Sequence, residues 1–177
     1  LFSAITIPEK AKDLISSLYD NLEAPSSVKW VEKENLHITL KFFGETDKLA
    51  QIKEKLGELE GEIAPFSVSL KRIGAFPSAQ RAMVLWVGIE EGQNNLKELY
   101  SSIEDKIASL GFEKEDRGFT PHITFGRVKK GKYSLPENLD FSFDSFPVNE
   151  MTLFKSTLTP KGPIYEIISE VPLGGKS

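Results

Sequence analysis

Leu36-His37-Ile38-Thr39-Leu40 and Pro121-His122-Ile123-Thr124-Phe125 decide how this chain is read. The 177 residues hold two histidines, and both stand in a His-Ile-Thr frame. His37 and His122 are 85 positions apart, close to half the chain. Chance is a poor explanation for two lone histidines in one tetrapeptide frame. The pair therefore reads as a duplicated functional element, with the rest of the chain as scaffold.

Around the first frame the pattern alternates. Leu36, Ile38, Leu40 and Phe42 face one way, His37, Thr39 and Lys41 the other, as in a strand with one core face and one chemical face. The second frame lies in a strand predicted over Phe119–Val128. Outward from these, Phe2–Ile7 reads as a strand ended by Pro8, which suits the start of a helix. That helix runs from Glu9 to about Leu22, with Ala11, Leu14, Ile15, Leu18 and Leu22 at helical spacing. Ala24–Ser27 reads as a loop, Val28–Val31 as a short strand and Glu32–Asn35 as a turn. After Gly44, Thr46 or Asp47 can cap a helix to about Leu59, with Leu49, Ile52, Leu56 and Leu59 as its stripe.

Phe66–Ile73 alternates as a strand, Gly74–Ser78 reads as a turn carrying Phe76, and Ala82–Ile89 as a buried strand. A third helix spans Leu96–Leu110, stopped by Gly111. Lys129–Asn138 is a basic loop and Phe141–Phe146 an edge segment. Val148–Lys155 and Ile164–Val171 are strands joined by a turn-rich loop over Ser156–Pro163, and Gly174–Ser177 is a loose tail. Three helices and eight to nine strands, with a helix and strands around each motif, predict an α+β fold. Residues 1–177 form one domain of two pseudo-symmetric lobes of antiparallel sheet, one per half, with helices on the outer faces.

Hydrophobic residues make up 40% and charged residues 27%, which fits a globular chain with a real core. No apolar run approaches the roughly 20 residues that span a bilayer. The first stretch, beginning at Leu1 rather than Met, lacks the basic flank of a signal peptide. The absence of cysteine excludes disulfides, thiolate zinc sites and a cysteine nucleophile, and fits the cytoplasm. A net charge of −4 argues against a long phosphate-held nucleic acid, so such a substrate would be gripped locally, at one end.

A histidine titrates near neutral pH and can accept or donate a proton, but only one of these at a time. Two histidines on opposite sides of a substrate supply an acid and a base together. A threonine two residues along a strand projects from the same face, about 7 Å away. Its hydroxyl can hydrogen-bond the group under attack. His37 and His122 with Thr39 and Thr124 thus make a base, an acid and two donors around one anionic centre, the set that a phosphodiester requires. Two histidines alone are a poor metal site, and no His-x-x-x-His or carboxylate cluster adjoins either one, so neither metal nor cofactor is expected.

These frames resemble the paired His-x-Thr-x motifs of the 2H phosphoesterase superfamily. Asn35–Glu45, Pro121–Val128 and the late stretch Lys155–Glu166 resemble the RNA 2′,3′-cyclic phosphodiesterases, also called 2′-5′ RNA ligases. The resemblance covers nearly the whole chain; the Met-Arg that members usually carry before the first strand is not among these residues, being either absent or simply not included. It implies two lobes meeting in a central groove, one motif on each. It further implies metal-independent hydrolysis of a terminal 2′,3′-cyclic phosphate to a 2′-phosphate and, in some members, reversible nucleotide-independent 2′-5′ joining of RNA ends. The implied partner is an RNA end (tRNA-like or oligoribonucleotide) or a small nucleotide, with no membrane and no obligate protein partner.

The resemblance also makes Phe42 and Arg127, each five residues after its histidine, substrate-groove positions able to stack a base or meet its phosphate. From the pattern alone, Phe42 is equally a core residue. Strict alternation points Arg127 away from His122 unless a bulge at Gly126 re-aims it. Lys161 and Tyr165 are further substrate-binding candidates, followed by Lys129, Lys130 and Phe76. The rival functions are a phosphodiesterase for a small cyclic nucleotide such as ADP-ribose 1″,2″-cyclic phosphate, and a non-catalytic nucleotide- or RNA-end-binding module.

Overall fold

The computed structural model describes residues 1–22, 27–115 and 118–174; apart from Ser27 and Gly174, the loop expected at 24–27 and the tail expected at 174–177 lie outside them. In chain order the elements are β1 (Phe2–Thr6), α1 (Glu9–Asn21), β2 (Val28–Trp30), β3 (His37–Phe42), α2 (Leu49–Gly57), β4 (Phe66–Pro77) and β5 (Ala82–Ile89). They continue with α3 (Gln93–Ile107), β6 (His122–Val128), β7 (Ser142–Val148), β8 (Glu150–Thr159) and β9 (Gly162–Pro172).

Local signals place most of these. Pro8 precedes α1 in an extended conformation, and its carbonyl accepts the first helical N–H groups, from Ala11 and Lys12. Ala11 and Ile15 are buried, whereas Leu14 stays 42% exposed and is no part of the stripe. Neither Thr46 nor Asp47 caps α2. Thr46 Oγ1 instead accepts the Lys48 N–H at 3.1 Å and turns the chain just before the helix. Beyond α3, a 3₁₀ turn at Ala108–Leu110 ends on Gly111, whose φ of 87° favours glycine.

Among the described residues, nine strands pair antiparallel in the order β7-β4-β5-β6-β3-β1-β8-β9, with β2 also on β6. The expected pair of sheets, one per half of the sequence, is thus a single network whose strands cross over. β4, from the first half, pairs with β5 and β7, while β8, near the end of the chain, pairs with β1. The two motif strands are neighbours, joined by one pair, Ile38 with Ile123. Both isoleucines are fully buried, which stabilises this seam by roughly 1.5–3 kcal/mol per side chain. Leu40 and Phe125 lie with them in the core, with Ile52 and Leu56 of α2 and Leu96, Leu99 and Ile103 of α3. The helices therefore cover the face opposite the histidines.

Two turn-rich stretches are strand instead. Gly74–Pro77 continues β4, because β5 keeps pairing with it down to Ala82 and the Trp86 indole fills the space over Gly74. Ser156–Thr159 and Gly162–Pro163 extend the β8–β9 hairpin, leaving Pro160 and Lys161 at its tip. In both places ladder hydrogen bonds outweigh local turn preference.

Lys41 corrects the simple alternation. It is buried on the helix side, with Nζ 2.6 Å from Glu104 of α3 and 3.2 Å from the Glu113 carbonyl. The Glu104 contact is an ion pair without hydrogen-bond alignment at Oε1. Removing one member strands the other charge in the core, which costs about 3–5 kcal/mol, whereas replacing both by apolar side chains is close to neutral. Lys41→Met is expected to lower the urea midpoint by that order, with Lys41→Met/Glu104→Met recovering most of the loss in the same titration.

Candidate active site

The two motif strands carry the same irregularity. On β3, Thr39 pairs with Ala4 and Lys41 with Ser3, so Leu40 is an extra residue. On β6, Thr124 pairs with Trp86 and Gly126 with Leu85, so Phe125 is extra. A bulge shifts the alternation by one. Lys41 and Gly126 turn to the core side, and Phe42 and Arg127 join the face of His37/Thr39 and His122/Thr124. The bulge foreseen at Gly126 thus falls one residue earlier, on Phe125, and re-aims Arg127 as required. Phe42 is 59% exposed, not core, and Arg127 is exposed. Continued one residue either side of Ile38–Ile123, the antiparallel register sets His37 across from Thr124 and Thr39 across from His122.

Each imidazole is fixed by a carbonyl two residues upstream. His37 Nδ1 donates to the Asn35 carbonyl at 2.6 Å, and His122 Nδ1 to the Thr120 carbonyl at 2.7 Å. A carbonyl only accepts, so the proton of the neutral ring sits on Nδ1 and Nε2 is left as the acceptor. At His37 that acceptor takes the Thr39 hydroxyl at 2.7 Å.

Aromatic walls flank both rings. Phe2 lies 5.0 Å and Tyr165 5.6 Å from His37, ring centre to ring centre. Phe76 meets His122 edge-on at 5.2 Å and leans on Trp86, which lies over Gly74 and Gly88. Any side chain at Gly74 would collide with that indole, so the glycine is what lets the wall form. Phe76 is therefore a strand residue beside a histidine, not a turn aromatic. Lys161 and Tyr165 line a cavity that reaches His37; Lys129 and Lys130 are exposed beyond the end of β6 and do not line it. Sequence reasoning missed Phe2, Trp86, Lys12, Asn35 and Thr120. The last two act on the histidines through backbone carbonyls, which no residue type announces. Among the described residues no group of three His, Asp or Glu side chains is placed to hold a metal ion.

The model of the LigT-like phosphoesterases matches the chain twice, over residues 5–86 and 87–165, one motif in each match. The chain belongs to this family. A Methanocaldococcus jannaschii protein named RNA 2′,3′-cyclic phosphodiesterase is 44% identical over 176 residues, covering 96% of this chain and 98% of its own. An Archaeoglobus fulgidus protein of the same name is 39% identical, covering 94% and 96%. Among solved structures, a Thermus thermophilus protein matches with a TM-score of 0.86 at 26% identity, over 99% of this chain and 98% of that one. E. coli LigT complexed with 3′-AMP matches with 0.81 at 25%, over 97% and 96%.

In this LigT-like site, electrostatics act on both imidazoles in the same direction. Burial is the largest influence on His37 and takes its pKa from 6.5 down to about 4, against the pull of the Asn35 carbonyl; Lys12, Arg127 and His122 push it further down. Burial and then Arg127 lower His122 as well, against the pull of the Thr120 carbonyl. The Arg127 charge also acts on Tyr165, whose pKa burial raises. The charge of one guanidinium thus acts on His37, His122 and Tyr165 alike. An NMR titration is expected to place the His37 midpoint about 4 and that of His122 below 6.5, with Nδ1-protonated neutral rings. Between those values the unfolded chain binds the proton that folded His37 refuses, so stability rises with pH across that window and falls on acidification. A midpoint at or above 6.5 for His37 would contradict the burial seen here.

Proposed function

We propose that the chain hydrolyses the terminal 2′,3′-cyclic phosphate of an RNA to a 2′-phosphate, with His37 and His122 as the acid–base pair. The observation that carries this reading is the doubled His/Thr face at the β3–β6 seam, each imidazole presenting Nε2. One neutral histidine takes a proton from the water that attacks phosphorus; the other, protonated, gives one to the departing 3′ oxygen. The P–O3′ bond breaks as the new P–O bond forms, and the two protonation states are exchanged at the end. Thr124 donates to a non-bridging oxygen, and Thr39, whose hydroxyl rests on His37 Nε2, turns to donate to another when the phosphate enters. Arg127, re-aimed by the bulge, meets the negative charge of these oxygens. Phe42 offers its exposed ring to the base, and Tyr165 and Lys161 extend the binding surface beside His37. With a 5′-hydroxyl in place of water, the same step joins the ends as a 2′-5′ linkage, and its reversal cleaves that linkage.

The 44% identity to a protein named RNA 2′,3′-cyclic phosphodiesterase supports the RNA end as substrate. Both family-model segments feed one contiguous core, which supports a single two-lobed domain. No described helix is long and apolar enough to cross a membrane, and a chain without cysteine fits a cytoplasmic setting.

The test is a short RNA ending in 2′,3′-cyclic phosphate, incubated in EDTA with product isomers assigned. Wild type is expected to yield the 2′-phosphate. His37→Ala and His122→Ala each remove the activity, by about 10²–10⁴-fold or more, and Arg127→Ala costs more than Arg127→Lys. ADP-ribose 1″,2″-cyclic phosphate runs alongside: turnover of that compound alone identifies the small-nucleotide rival, and tight RNA-end binding without turnover the binding module. Since both imidazoles are lowered and one must be charged and one neutral, kcat/KM is expected to be bell-shaped with its maximum on the acid side of pH 6.5. A plateau extending well above neutral pH would overturn the two-histidine mechanism.

A further inference from the structure

A cavity of about 940 Å³ opens beside His37, on the side away from β6. Sites that enclose whole small ligands span roughly 300–1,000 Å³, so this space far exceeds what a cyclic phosphate alone fills. Helix α1 and the turn before β3 supply Lys12, Glu32 and Glu34; the β8–β9 hairpin supplies Lys161, Ile164 and Ile167. The Asn35 side chain donates to the Pro163 carbonyl at 2.9 Å and ties the two walls together.

Its chemistry is mixed in a telling way. The Lys12 side chain is only 14% exposed, with the well-exposed Glu9 3.5 Å away, and its charge is felt at His37. Such a half-buried cation is disposed to meet an anion near the imidazole. Glu32 and Glu34 would repel phosphate but accept hydrogen bonds from sugar hydroxyls. Ile167 is 54% exposed and stands on the same face of β9 as Tyr165, an apolar surface beside the ring that meets His37. One phosphodiester, ribose hydroxyls and a flat apolar base, in that proximity, describe one ribonucleotide. The acid–base chemistry uses neither Lys12 nor Ile167.

We propose that this groove holds the nucleotide preceding the cyclic-phosphate end, so that the enzyme selects an oligoribonucleotide over a mononucleoside cyclic phosphate. Lys12 meets the phosphodiester that links the two nucleotides, Glu32 and Glu34 take ribose hydroxyls, and the base lies against Ile167. With a net charge of −4 on the chain, the contact stays local and does not extend along the RNA.

The inference rests on the reading of the chain as an RNA cyclic phosphodiesterase, and its test separates the two. Wild type, Lys12→Ala and Ile167→Glu are assayed on uridine 2′,3′-cyclic phosphate and on a triribonucleotide with the same end. Wild type is expected to favour the trinucleotide by roughly tenfold or more in kcat/KM, the size of one good subsite contact. In each variant that ratio falls severalfold, chiefly through KM, and in Lys12→Ala its dependence on salt also weakens. Ile167 is 54% exposed on β9, so its replacement leaves the fold intact; equal urea midpoints verify this. Hydrolysis of both substrates with a ratio near one in wild type, or a ratio unchanged in both variants, overturns the groove assignment alone. Hydrolysis of neither by wild type overturns the activity and the groove together.

Discussion

The single backbone pairing of Ile38 with Ile123 is the constraint on which the site depends. It sets two motif strands from opposite halves of the chain side by side, antiparallel, with their isoleucines in one core. Antiparallel register then places each histidine opposite the other strand's threonine. Burial of the isoleucines drives this seam, and the polar face follows because side chains alternate. A polar residue at either position would remove the driving force and the alignment at once.

The matched bulges at Leu40 and Phe125 are what turn a pair of His-Thr faces into a binding surface. Without them Phe42 and Arg127 would point into the helix layer and Lys41 would sit beside the phosphate. With them, Lys41 is buried against Glu104 and pins α3 to the back of β3, while an aromatic ring and a guanidinium come forward. The two lobes share a backbone plan and differ in the side chain offered at its end. Under the proposed function, a near-symmetric pair of histidines would thereby be fitted to a substrate with no symmetry.

Both imidazoles are held by backbone carbonyls, with Phe2 and Tyr165 beside His37 and Phe76 beside His122, so they are oriented and partly dried before any substrate arrives. Drying lowers their affinity for a proton, and Arg127 adds to this. An incoming phosphodiester anion reverses part of that effect by favouring the charged ring, which couples substrate binding to the creation of the acid.

The positions of His37 and Thr39, and of His122 and Thr124, were legible in the sequence. The spacing of the frames and the alternation around them follow from covalent order and from side-chain chemistry. The helices were legible for the same reason, as apolar stripes and a stop at Gly111. Alternation alone misjudged Phe42 and Lys41, because a bulge is decided by the neighbouring strand and not by the bulged one. Turn residues misled at Gly74–Pro77 and Ser156–Thr159, where ladder hydrogen bonds to β5 and β9 outweighed local preference. Covalent order and residue type were thus enough to pick out the paired His-Thr frames and the strands that bear them. Which strands meet, where Phe76, Trp86 and Lys12 stand, and which carbonyls orient the rings were settled by folding alone. Those outcomes rest on contacts between residues far apart in the chain, and a contact of that kind leaves no local trace.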